Sequence, residues 1–195
     1  MKKRFLLLFL VLWLASCAAG PSFRYEECSS SNPMQLTKLH DTLNALIAAN
    51  PYAGKSGTHC YICVLDDNEK VLVWLQMSNI KGRVSPIFCA TSAAIDQAPS
   101  DDHLMFCVAH ELAHLSLGHL DDAAVLRSTA AKREIEADRE AVRLIGKAGV
   151  KDPARVSTET LEWIKRIWKI GEGSGPSKNH PAINDRIKSL QSAFQ

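Results

Sequence analysis

Apolar positions recur every three or four residues along some stretches and every second residue along others, which sorts the chain into helices and strands. Leu36, Leu39, Leu43, Leu46 and Ile47 form one stripe that predicts a helix over residues 33–49, stopped by Asn50-Pro51. His40 falls off that stripe and is expected at the surface rather than on a metal. Residues 60–65 and 71–77 are apolar runs on either side of the turn-rich 66–70, and they predict a β-hairpin. A third strand is expected over 83–88, away from the sheet centre because Pro86 lacks an N–H. Residues 90–98 predict a brief helix ended by Pro99.

The densest apolar frame follows. Leu104, Phe106, Val108, Leu112, Ala113, Leu115 and Leu117 surround a helix that Ser100 or Asp101 caps and Gly118 ends. Residues 121–127 read equally as a loop lid or as a helical continuation. A further helix spans 129–147 on Ile135, Val142 and Ile145, closed by the segment from Gly146 to Gly149. Over 158–170, Leu161, Ile164, Ile167 and Trp168 give a stripe read as core packing, with Trp163 a candidate for lining a groove. The glycine-rich 171–179 leads as a flexible loop into His180-Pro181, and a last helix over 182–194 buries Ile183, Ile187 and Leu190. The fold class is α+β: a mostly helical domain with a small sheet or hairpin packed on the 102–117 helix.

That helix carries the candidate chemistry. His110-Glu111-x-x-His114 places two imidazoles four residues apart, on one helical face, where they can share one metal ion. Glu111 is rotated by about 100° from His110, so it can sit beside the ion and take a proton from its water. Burying these groups unpaired would cost several kcal/mol, an objection that a metal removes. Glu134-Ile-Glu136-Ala-Asp138 follows on the next helix. Catalytic zinc uses three protein ligands and leaves a fourth position open; Glu134 is the candidate third ligand, implying one zinc ion per chain. Asp138, one turn on, can accept the free ring N–H of a ligand histidine.

Composition adds place rather than chemistry. At 195 residues the chain suits one domain. Lys2-Lys3-Arg4 and the apolar 5–14 read as an export signal, too short to span a bilayer comfortably. Leu14-Ala15-Ser16-Cys17 resembles a bacterial lipoprotein box, with an ordinary cleaved signal or a membrane anchor as the alternatives. The resemblance implies lipidation at Cys17 and, from Ala18, the outer membrane facing the periplasm. The divisions are then 1–16 signal peptide, 17–33 lipidated tether and 34–195 metallopeptidase domain. Removing 1–16 leaves 20 basic against 21 acidic side chains, which argues against a nucleic-acid partner. Membrane association would come from the lipid. Export permits disulfides among Cys28, Cys60, Cys63, Cys89 and Cys107, up to two with one thiol over. Cys60 and Cys63 lie three apart in a strand and point to opposite faces, and Cys107 reads as a small buried apolar group.

Three features together resemble the zinc metallopeptidase family of the CaaX prenyl protease and the heat-shock membrane protease HtpX. They are His110-Glu111-x-x-His114 with His119 five residues on, Glu134-x-x-Ala137-Asp138, and His180-Pro181 with Arg186. The resemblance covers about residues 60–195. It implies a gluzincin-type endopeptidase acting on damaged or misassembled envelope proteins, alone or in an envelope complex. It also implies that His180, or Arg186 behind it, lies close to the metal and either steadies an oxyanion or occludes the site. The interval between His114 and Glu134 is short for the family. A metzincin is excluded, because it needs Gly and His where this chain has Leu117 and Leu120. The rival readings are a zinc-binding, chaperone-like envelope module without turnover, and a structural metal closed by His180 or Cys107.

Overall fold

The computed structural model describes residues 32–51, 60–121, 128–168 and 183–194. The first helix, α1 (Pro33–Ala49), starts where Asn32 Oδ1 accepts the Met34 N–H at 3.0 Å and Pro33 sets the first turn. Asn50 ends it, donating to the Leu46 carbonyl at 2.8 Å. His40 is half-buried and 2.9 Å from Asp41, so it is less exposed than expected.

Three strands follow, β1 (Tyr61–Leu65), β2 (Val73–Ile80) and β3 (Arg83–Thr91), in the order β1-β3-β2. The expected hairpin of 60–65 with 71–77 is therefore corrected. The hairpin is β2–β3, and β1 adds to β3 in parallel. Its cause is local: Ile80 pairs with Arg83 across Lys81 (φ 51°) and Gly82 (φ 80°), and two central residues at positive φ match the twist of a two-residue hairpin. The 66–70 interval makes a different turn, in which Asp67 Oδ1 accepts the Glu69 and Lys70 N–H groups, both at 3.0 Å. The placement of the third strand is corrected too. β3 is central, and Pro86 is tolerated because the β1 pairing starts one residue later, at Ile87, so no β1 ladder partner is assigned to Pro86.

The strands alternate as the pleat requires. Cys60, Ile62, Val64, Phe88 and Ala90 join the main core, while Cys63, Ile87 and Cys89 cluster on the other face. Cys60 and Cys107 are free thiols, each pushed up to about 12 by burial.

A short helix α2 (Ser92–Gln97), capped by Thr91, precedes the central helix α3 (Asp101–Ser116). Ser100 occupies the cap position of α3, but its hydroxyl engages His103 Nδ1 at 2.7 Å instead of a backbone N–H. Asp101 and Asp102 in the first turn suit the positive end of the helix dipole. Phe106, Val108, Leu112 and Ala113 are buried against α1, β2 and two later helices, α4 (Ala130–Lys147) and α5 (Pro153–Ile167). Each large side chain among them contributes about 1.5–3 kcal/mol by burial. α5 begins earlier than the stripe predicts, because Asp152 Oδ1 accepts the Arg155 N–H at 3.2 Å and Pro153 opens the first turn. The last helix, α6 (Ile183–Ala193), buries Ile183, Ile187 and Leu190 against α4 and α5. No helix among the described residues is long and apolar enough to cross a membrane.

Candidate metal centre

Helix α3 brings His110 and His114 together with their Nε2 atoms 3.1 Å apart. Packing of α4 alongside sets Glu134 Oε2 at 3.3 Å from His110 Nε2 and Oε1 at 3.5 Å from His114 Nε2. Four ligands around a first-row cation, with bonds of about 2.0–2.1 Å, lie about 3.3 Å from one another. The separations, measured to a different Glu134 oxygen for each imidazole, lie near that edge length. One donor atom from each residue falls within 4.8 Å of the other two, close enough for one cation to reach all three residues. Among the described residues, this cluster could hold a metal ion. Cys107 lines the same cavity but is not part of the cluster.

The outer edge of His110 is fixed as well. Asp138, only 1% exposed, places Oδ1 at 2.9 Å from His110 Nδ1, so that nitrogen carries the hydrogen and Nε2 faces Glu134. Arg186 crosses from α6 and binds Asp138 with two bonds, Nε to Oδ2 at 2.7 Å and Nη2 to Oδ1 at 2.6 Å. Its Nη1 lies 3.4 Å from Glu134 Oε2. His180 lies outside the described residues, as do Cys17 and the glycine-rich loop. Replacing Asp138 by Asn should weaken metal binding by about 10–100-fold, read by chelator competition on the purified protein. Unchanged affinity would show that Asp138 does not tune the ligand.

The other histidine has its own support, which sequence reasoning noted only as part of a motif. Gly118 adopts φ 69° after α3, the His119 N–H donates to the His114 carbonyl at 2.9 Å, and the Gly118 N–H to Leu115 at 3.2 Å. This paired cap turns the chain back on itself. It delivers the His119 ring to His114, Nδ1 to Nδ1 at 3.1 Å, with His119 Nε2 at 3.4 Å from Glu136 Oε2. If His114 gives Nε2 to a cation, its Nδ1–H donates to His119, and the remaining His119 hydrogen faces Glu136. The glycine just before His119 is the signal that could have located this arrangement.

The electrostatics ask for a cation. Burial works against a charged His110 ring, yet its bonds to Asp138 and Glu134 outweigh burial and lift it to about 9. The proton it takes up sits where a cation would. Burial, then His110, lowers His114 to about 3, which favours a neutral ring. Burial also disfavours the Glu134 and Asp138 carboxylates, but His110 and Arg186 offset this and hold both below the usual range. Glu111 accepts the Leu75 N–H of β2 at 3.0 Å through Oε2. Burial pushes its carboxyl up to about 7, with His110 opposing and Glu134 assisting.

The fold and site define a mixed α+β protein in which two packed helices present a His-His-Glu cluster that could hold a cation, beside a buried carboxylate. Residues 102–195 are similar to the family model described as Peptidase U49. The matched span contains the whole cluster together with Glu111, Asp138 and Arg186. The family of the CaaX prenyl protease and HtpX, expected from the motifs, is not the one matched. No curated protein matches the chain.

Proposed function

We propose that this protein is a zinc-dependent endopeptidase of the bacterial cell envelope, serving protein quality control. The observation that carries the reading is the convergence of His110, His114 and Glu134 on one point, with Glu111 alongside, inside a span matched to a peptidase family. His110 Nε2, His114 Nε2 and one Glu134 oxygen would hold the ion. Zinc suits a mixed imidazole and carboxylate donor set. When bound, it would lower the pKa of its water towards ~7 and polarise the scissile carbonyl.

The chain's own residues supply the rest. Glu111, anchored through Oε2 by the Leu75 N–H, takes the proton of the attacking water and returns it to the leaving amine. Asp138 holds the His110 ring, and Arg186 holds Asp138. His180 remains a candidate donor to the developing oxyanion. Lipid on Cys17 would tether the domain to the outer membrane facing the periplasm, with envelope proteins as substrates and a complex with other envelope proteins in reach.

The test is metal analysis of the purified protein coupled to proteolysis of casein or unfolded porin. One zinc per chain and activity lost to chelator, then regained with added zinc, are the expected results. One zinc without cleavage would favour a binding module, and absence of bound metal would end the reading.

A further inference from the structure

The cation cluster occupies only one end of a cavity of about 430 Å³. His110, Glu111, His114, Glu134 and Arg186 line that end. The rest is walled by Val71, Ala94, Cys107, Trp163, Ile164 and Trp168, drawn from the lead into β2, from α2, from α3 and from the end of α5. Val71, Ala94 and Trp163 form a core cluster of their own, with Cys107 and Ile164 packed against it. Among the described residues, every charged side chain lining the cavity lies at the cluster end.

This apolar end is built and continuous with the reactive one. Trp168 Nε1 donates to the Val71 carbonyl at 3.0 Å, so the one polar atom of that indole is spent on the wall itself. Along α3, Leu104, Cys107, Glu111 and His114 all line the cavity. They follow three- and four-residue spacing, so the cavity runs back from Glu111 by about 10 Å, from the helical rise. That depth and breadth suit a large side chain rather than a methyl group.

We infer that the apolar end receives a large uncharged side chain of the substrate, on a residue flanking the scissile bond, so that cleavage falls beside Leu, Ile, Met or Phe. The inference rests on the peptidase reading and names its substrate class. A charged side chain entering there would lose water and find no charged partner among the described residues of that end, whereas an apolar one gains from burial. Pocket differences of a few carbons give roughly 10–200-fold discrimination in turnover. Ala94, 2% exposed, is one of the residues that wall this end. A longer side chain at position 94 fills the space that a substrate leucine needs.

The experiment uses the full zinc-loaded chain and one peptide scaffold varied at a single position through Leu, Phe, Ala, Lys and Asp. Cleavage beside Leu and Phe should exceed cleavage beside Ala by at least about tenfold, and beside Lys and Asp by more. In Ala94→Leu the ratio of Leu to Ala cleavage should fall by at least about tenfold, with zinc content showing that the variant is folded. Binding of the same peptides to zinc-loaded Glu111→Gln, read by tryptophan fluorescence, tests the cavity without needing turnover. Tighter binding of the Leu and Phe peptides with no cleavage by the native chain would overturn the peptidase reading and uphold the cavity assignment. Equal cleavage or equal binding of Leu, Ala and Lys peptides would overturn the cavity assignment, whatever becomes of Ala94→Leu.

Discussion

Replacing Glu111 by Gln is expected to lower proteolytic turnover by about 10²–10⁴-fold, the range attributable to one positioned proton acceptor, while zinc content stays at that of the native chain. The amide keeps the shape of the carboxylate, and its carbonyl oxygen can still accept the Leu75 N–H now held at 3.0 Å. What it cannot do is take up a proton. Glu111 is outside the three-residue cluster, so removing its charge leaves every candidate ligand in place. Burial also makes the effect hard to rescue, because the other proton acceptors lining that end among the described residues, His110, His114 and Glu134, are the candidate ligands. Turnover and elemental metal content, measured on the same preparation, check it. Retained activity would remove Glu111 from the chemistry, and loss of zinc would show that the carboxylate holds the metal after all.

What the chain disclosed in advance was mostly what depends on neighbours in sequence. The bounds of α1 were legible because cap, proline and stop all lie within it or beside it, at Asn32, Pro33 and Asn50. The pairing of His110 with His114 was legible for the same reason: a helical turn brings them together whatever the rest of the chain does. Strand partners were not, since apolar alternation marks a strand without saying which edge it joins. The deciding feature is the Lys81-Gly82 turn, which makes the hairpin through two residues at positive φ and leaves no mark on the apolar pattern. The start of α5 was missed although Asp152-Pro153 is a local signal; the apolar stripe drew the boundary too late.

The site divided along the same line. Glu134 could be proposed from its spacing, but its 3.3 and 3.5 Å approaches to the two imidazoles exist only because α4 packs against α3. Glu136 has no signature as a partner in the sequence, because its link to His114 runs through His119 and a glycine-dependent cap whose glycine marks only a helix end. Arg186 entered through family resemblance alone. Its two bonds to Asp138 join residues 48 positions apart, and nothing in local periodicity announces such a pair.

Glu134→Ala should abolish stoichiometric zinc binding, with an affinity loss greater than the roughly 10–100-fold that outer partners command, and turnover should disappear with the metal. Two imidazoles alone leave a tetrahedral ion half coordinated by protein. The variant also removes the negative charge that would offset a cation held between His110 and His114. Its effect on folding should be milder than its effect on metal. Arg186 loses a 3.4 Å approach to Glu134 but keeps both bonds to Asp138, so no buried charge is left without a partner. Competition with a fluorescent zinc chelator measures the affinity, and a thermal melt in excess chelator measures the fold without the metal's contribution. Native affinity in Glu134→Ala would remove the third ligand from the site, and with it the geometric basis for a catalytic rather than incidental pair of histidines.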